Sequence, residues 1–360
     1  MAFRVLLVAF VVFFTIQAAI FQTSLYGSWV STGSTTGSLE LFLHVERQRR
    51  AKFPPNRVVG VGDSRMPLMV KNADALTPQV GYSFGALGVA GTMPRSWYYL
   101  LRAADPDANL YRAVIVMLDS YDDLEIEADA SSERDSDLNY VLPELTWMDI
   151  PEFAGSFHSN RLKWRAATGI AFKGLIYQRD FQDFITHPQK RIDEVLQARQ
   201  SAAEWHYEYR APMDATMAPL AVDWQRRTVQ VAPHVDPAVA AGLKHRLVDP
   251  LPPQTGERSR YMKYWLGRIY DHYSNSHTRL IFLRIPRGPL TRPDLPPPNL
   301  ESSVHQLEHK PNVTLLPEHF FDELERPELF RDHVHLNQIG HDKFTEMLVF
   351  KIREMLGPPQ

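Results

Sequence analysis

Two short stretches near opposite ends of the chain carry residue types that suit nucleophilic chemistry. In the first, an apolar run, Val58 to Val61, breaks at Gly62-Asp63 and delivers Ser64 and Arg65. Alone, this is either a strand-to-helix turn capped by Asp63 or Ser64, or the seat of a serine nucleophile. The second stretch arbitrates. Asp332 and His335 stand three residues apart in "RDHVHLNQIGHDKF", just before a helix that Asn337 can cap. In a turn, that spacing brings a carboxylate within reach of an imidazole. A serine needs such a pair: the histidine takes its proton, and the aspartate fixes the tautomer and stabilises the imidazolium.

These residues must be brought together by strands. Arg57–Val61, Gln79–Phe84 and Ala113–Leu118 read as strands, with helices over Met66–Ala75 and Pro94–Ala104 between them. Strand alternating with helix at this spacing predicts parallel βαβ units. The rhythm is lost from about residue 124 to 277, where a helix is expected over Pro188–Tyr207. It returns at Thr278–Ile285, at Asn312–Leu316 and in a last helix over Gln338–Leu356, whose Phe344, Met347, Leu348, Ile352 and Met355 form one apolar stripe. The expected fold is therefore one α/β domain with a central parallel sheet, carrying a large, mainly helical insertion. Open α/β sheets place their sites at the C-terminal strand edges, where Ser64 falls.

At 360 residues, 44% hydrophobic and 22% charged, the chain is long enough for a sizeable core. Its net charge of -3 and lack of long basic runs give no footprint for nucleic acid; Arg47, Arg49, Arg50 and Lys52 read as a solvated helix face. The absence of cysteine excludes thiol nucleophiles, disulfides and thiolate metal sites. Asp332, His333, His335 and His341 crowd together, but the Asp332–His335 pair has a complete explanation without metal, so no metal is expected. Val5 to Phe21 is an apolar run preceded by Arg4 and followed by Tyr26 and Trp29. It reads as an uncleaved membrane anchor over residues 1–30, with a cleaved signal peptide as the rival. "STGSTTGS", Ser31 to Ser38, reads as a flexible linker, and Leu39 to Lys52 as a short helix stopped by Pro54-Pro55.

On these motifs the chain resembles the GDSL-type, or SGNH, hydrolase superfamily. "GDSR" (Gly62–Arg65) is similar to its first block, which holds the nucleophilic serine. "DHVH" followed by "LNQIGH" is similar to its final block. "LGVAGT" (Leu87–Thr92) resembles its second block, whose glycine donates a backbone N–H to the oxyanion hole; by position that is Gly91, with Gly88 as the alternative. The likeness covers roughly residues 57 to 123 and 279 to 356.

The third block departs from the pattern. "MLDSYDD" (Met117–Asp123) puts Tyr121 roughly where the family carries an asparagine donor. Losing one oxyanion donor costs roughly 100- to 1,000-fold in rate, so either Tyr121 or another group replaces it, or this branch works with fewer donors.

The resemblance implies a three-layer, flavodoxin-like fold. It implies Ser64, His335 and Asp332 as the catalytic triad, the N–H groups of Ser64 and Gly91 as oxyanion donors, and no cofactor. Arg65 is either a substrate contact or a solvent-facing residue of the first helical turn, and Asp119, Asp122 and Asp123 read as a solvated acidic loop. With an anchor in front, the chain looks most like bacterial inner-membrane SGNH proteins with a periplasmic domain. Those O-acylate exported polysaccharides, using an acyl donor and a multi-pass membrane O-acyltransferase as partners. An esterase, or a glycan-binding assembly subunit without chemistry, are the other readings.

Overall fold

The computed structural model describes residues 2–52, 56–66, 69–123, 133–201, 212–251 and 256–359. In chain order these form α1 (Ala2–Phe21), α2 (Ser24–Gly27), α3 (Thr35–Lys52), β1 (Arg57–Val61), α4 (Met69–Val80), β2 (Ser83–Ala86), α5 (Pro94–Ala104) and β3 (Ala113–Leu118). Next come α6 (Ser136–Val141), α7 (Asn160–Ala171), α8 (Lys173–Thr186), α9 (Pro188–Ser201), the strand pair β4 (Leu220–Asp223) and β5 (Thr228–Val231), and α10 (Pro237–Leu247). The chain closes with α11 (Gly256–Tyr273), β6 (Arg279–Arg284), β7 (Val313–Leu315) and α12 (Gln338–Leu356).

The protein is α/β. Five parallel strands form the central sheet in the order β2-β1-β3-β6-β7, and β4-β5 is a separate antiparallel hairpin. Every residue of β1 and β3 is buried, as in strands covered on both faces, including Arg57, whose guanidinium donates to the Phe84 carbonyl at 2.8 Å. Successive side chains alternate between faces. Val58, Ile115, Met117, Ile281 and Leu283 join the core made with Ala73 of α4 and with Phe344, Leu348 and Ile352 of α12. On the other side, Tyr99 of α5 meets Trp265 of α11 at 5.8 Å between ring centroids. β1 has β2 on one side and β3 on the other, so the chain reverses direction across the sheet at β1. That reversal opens a crevice at the C-terminal strand ends.

Several boundaries differ from the sequence expectation. α4 runs through Pro78 to Val80, and Gly81 at φ 74° ends it by donating its N–H to the Thr77 carbonyl at 2.8 Å. The second strand is displaced accordingly, to Ser83–Ala86. The expected linker is partly helical, since α3 begins at Thr35. Ser34 starts it, its hydroxyl accepting from the Gly37 N–H at 3.0 Å. Pro54-Pro55 and the expected helix end at Tyr207 lie outside the described residues.

The chain divides into two compact units, Met1–Gln48 with Ser131–Trp205, and Arg49–Ala130 with His206–Gln360. The stretch 124–277 is thus shared between them. Its later part belongs with the sheet: Met217 donates its N–H toward the carbonyls of Pro327 (3.1 Å) and Phe330 (3.0 Å), and Leu243 and Leu247 of α10 enter the sheet core.

In the other unit, α1 offers 19 residues, Phe3–Phe21, of mean hydropathy 2.3, long and apolar enough to cross a membrane. Its C-terminal end docks on α8, where Phe21, Tyr26 and Phe181 meet edge to face at 5.1 to 5.2 Å. The Tyr26 hydroxyl donates to Asp180, which Arg191 also holds at 2.9 Å.

Candidate active site

Ser64 leaves the C-terminal end of β1 in a turn closed by the Met66 N–H on the Asp63 carbonyl (3.2 Å). The turn sits tightly on the sheet. A Cβ at Gly60 would fall 1.3 Å from the Met66 methyl, and one at Gly62 would fall 3.2 Å from the Met117 Cβ, so the run into Ser64 has little room for side chains. The Thr92 hydroxyl lies 3.1 Å from the Gly62 carbonyl and 2.7 Å from that of Val89, and it accepts from the Trp97 indole at 3.0 Å. This ties the turn after β2 to the one after β1. Gly91 takes φ 71°, a left-handed conformation that favours glycine.

The last helix supplies the other half. Asn337 caps α12, accepting the Gly340 N–H at 3.0 Å, and its amide donates to the carbonyls of Glu328 (2.7 Å) and Ala215 (3.2 Å). A Cβ at Gly340 would lie 2.3 Å from the Leu329 carbonyl, so this position is small because backbone passes over it. Behind the cap, Arg331 donates its N–H to the His335 carbonyl at 3.0 Å, closing the loop that holds Asp332 and His335.

The structure brings Ser64, His335 and Asp332 together. The Ser64 hydroxyl is 2.9 Å from His335 Nε2, and His335 Nδ1 is 3.1 Å from both Asp332 carboxylate oxygens. Oδ1 of Asp332 also accepts the N–H groups of Val334 (2.9 Å) and His335 (2.8 Å). Burial pushes the Asp332 pKa up, but the hydrogen bond and charge of His335, with those two N–H groups, outweigh it and leave the carboxyl below its usual value. An ionised Asp332 on Nδ1 favours the tautomer with the proton there, leaving Nε2 as the acceptor facing Ser64.

Arg65 does not face solvent. Its guanidinium lies 2.6 Å from Asp63 and 2.5 Å from Asp119, and Asp119 is also held by Arg246 of α10 at 2.9 Å. Asp119 is almost fully buried. Burial raises its pKa, but Arg246 and Arg65 more than reverse this and hold it well below the ordinary carboxylate range. The acidic stretch is accordingly not a solvated loop. Asp122 accepts the Asn299 N–H at 2.6 Å, and Asp123 accepts the Ser303 N–H at 3.1 Å. The stretch 124–277 gave no sign of Arg246, because its partner lies 127 residues away.

Tyr121 requires a correction. Its hydroxyl lies 2.9 Å from the carbonyls of Phe282 in β6 and Leu316 after β7, so its proton is taken there. β3 lies between β1 and β6, which places those carbonyls about 10 Å or more from the end of β1, at about 4.8 Å per strand. Tyr121 anchors strands β6 and β7 and is not placed as an oxyanion donor.

His341 lies in the first turns of α12, buried, with neither ring nitrogen hydrogen-bonded to protein. Burial, aided by Arg331 and His335, pushes its pKa down to about 3, so the ring is neutral. It lines a cavity of about 20 Å³ with Arg65, Met117, His335 and Phe344, room for about one water molecule. The His333 ring packs over Gly242 of α10. Among the described residues no cluster of three or more His, Asp or Glu side chains is placed to hold a metal ion. Beside the Arg65–Asp119 pair lies a cavity of about 170 Å³, where Asp122, Arg287, Thr291 and Glu318 face an apolar wall of Leu295, Pro296 and Pro298.

No family model matches the chain, and no curated protein matches its sequence.

Proposed function

We propose that this protein is a membrane-anchored serine acyltransferase of the SGNH type, O-acylating an exported bacterial polysaccharide. The observation that carries the reading is the hydrogen-bonded line from Ser64 through His335 to Asp332 at a C-terminal strand edge. Ser64 Oγ attacks the carbonyl carbon of an acyl ester while its proton passes to His335 Nε2. The imidazolium, stabilised by Asp332, then returns that proton to the leaving alkoxide, and an acyl-Ser64 ester remains. In the second half, an acceptor hydroxyl gives its proton to Nε2, its oxygen attacks the acyl carbon, and Ser64 recovers its proton as it leaves. The N–H groups of Ser64 and Gly91 hold the oxyanion, with Tyr121 taking no part.

The cavity beside Arg65 supports a sugar acceptor, since its carboxylates and hydroxyls can hydrogen-bond to hydroxyl groups while its proline and leucine wall can pack on a ring's C–H face. Arg65 then acts as a strut. With both carboxylate partners in place, it holds the nucleophile's turn and leaves little charge for an anionic substrate. α1 holds the enzyme in the cytoplasmic membrane with the catalytic domain outside, beside a multi-pass acyltransferase that supplies the acyl group. With water in place of the acceptor, the same groups make an esterase.

Ser64→Ala tests the reading. Incubated with an activated acetyl ester, the wild-type chain should gain one acetyl group by intact mass, and the variant none. In cells, loss of a transferase leaves the polysaccharide under-acylated, whereas loss of an esterase leaves it over-acylated. Normal acylation, with the variant present at wild-type level, would remove both enzymatic readings and leave a glycan-binding assembly subunit.

A further inference from the structure

The helical unit that carries α1 presents apolar side chains where a soluble surface would carry polar ones. Met148 is 87% exposed, Trp164 72%, Leu175 64% and Trp147 54%. They gather where α7 ends and α8 begins. Trp147 places its indole N–H 3.4 Å from the Ala171 carbonyl, Leu175 lies in the first turn of α8, and Trp164 is two turns before the end of α7. The same corner grips α1: Gln22 donates to the Ile170 carbonyl at 2.6 Å, and the ring of Phe172 meets the ring of Phe14 at 5.0 Å between centroids.

That ring contact sets a depth. The 19 residues Phe3–Phe21 of α1 rise about 28 Å at 1.5 Å per residue, nearly the thickness of a bilayer's hydrocarbon core. Phe14 precedes Phe21 by two turns, about 10 Å along the axis. A side chain in α1 also leans toward the helix N-terminus, so the Phe14 ring lies no shallower than its Cα. When α1 spans the membrane, Phe172 is therefore inside the hydrocarbon, and the α7–α8 corner around it is at or below the headgroups.

From this depth we infer that the corner formed by Trp147, Met148, Trp164, Phe172 and Leu175 is an interfacial collar, seated in the lipid leaflet that surrounds the C-terminal end of α1. Lipid is the occupant because the collar continues the apolar surface of α1. Two indoles on one corner are what the headgroup boundary favours. Arg161 and Lys163, beside Trp164 on α7, add positive charge for anionic headgroups. The consequence is a fixed attitude. A lone spanning helix would let the helical unit swivel, whereas a collar holds it against the membrane plane.

The inference rests on α1 crossing the bilayer, and the experiment separates the two. Because the chain has no cysteine, Met148→Cys, Trp164→Cys and Leu175→Cys each create a single labelling site. The full chain, labelled with an environment-sensitive fluorophore, is reconstituted into vesicles of phosphatidylcholine and phosphatidylglycerol carrying a nitroxide near the top of the acyl chain. Val8→Cys in α1 reports spanning, and Lys190→Cys, exposed at the start of α9 and the length of α8 away from the corner, gives the aqueous reference. Quenching at the three collar sites should exceed that at Lys190 by at least about twofold, as for elements sunk 5–10 Å into the interface. Quenching at Val8 with the collar sites at the aqueous level would overturn the collar while leaving the anchor intact. It would mean that the corner faces water or a protein that shields it. If Val8 also escapes quenching, the spanning reading falls and takes the collar with it.

Discussion

Replacing His341 with leucine should make the sheet unit less sensitive to acid, although the residue lines the same small cavity as His335. In the unfolded chain the imidazole binds a proton as pH falls through its ordinary value of 6.5, whereas in the folded chain burial delays this to about 3. Between those values only the unfolded state carries the extra proton, so stability falls as pH falls. At about 1.4 kcal/mol per pH unit, the loss attributable to His341 reaches about 2 kcal/mol between about pH 7.5 and about pH 5. Leucine has no proton to refuse, and because neither ring nitrogen is bonded to protein, the substitution breaks no protein hydrogen bond. Hydrogen exchange in α12, corrected for the intrinsic rate at each pH, reads the effect locally. Protection should fall about 30-fold more in the wild-type chain than in His341→Leu over that interval. Parallel falls in the two proteins would refute the reasoning and show that the ring is solvated or paired.

Asp332→Asn should leave the fold intact but slow acylation of Ser64 by about 10,000-fold in single-turnover assays, because the amide favours the wrong imidazole tautomer. Tyr121→Phe should lower stability by about 1 kcal/mol in thermal unfolding, the worth of one buried hydrogen bond. It should change turnover less than about twofold, whereas a loss of 100-fold or more would restore Tyr121 as an oxyanion donor. Gly340→Ala should cost about 1–3 kcal/mol by driving a methyl into the Leu329 carbonyl, and the melting temperature should drop accordingly.

The sheet and the Ser64–His335–Asp332 line were legible in the sequence for a local reason. β1, β3, α5 and α12 fall on their expected limits because each is a clean apolar run or stripe bounded by its own stop signal. The second strand was misplaced because Val80 belongs equally well to a helix end and a strand start; only the left-handed turn at Gly81 decides between them. The Ser31–Ser38 stretch misled through composition, since the hydroxyls that suit a linker also start a helix. What could not be read was long-range pairing. Asp119 and Arg246 look like solvent-facing charges until the fold buries them against each other, and Tyr121 stood near a familiar position with no local hint that its hydroxyl belongs to β6 and β7.

The separation of 271 positions from Ser64 to His335 also sets a timetable. At roughly 5–20 residues per second, the ribosome makes the histidine about 15–55 s after the serine. During that interval β1, β2 and β3 can form and dock α4 and α5, yet Ser64 remains an ordinary alcohol with no base beside it. The hydrogen-bonded line from Ser64 to His335 is completed only when the loop before α12 folds back onto the sheet. A chain cut short anywhere before that loop lacks the line, and so does one that has emerged but not yet closed its last helix. On the proposed function, neither can acylate itself or its surroundings while it is being made.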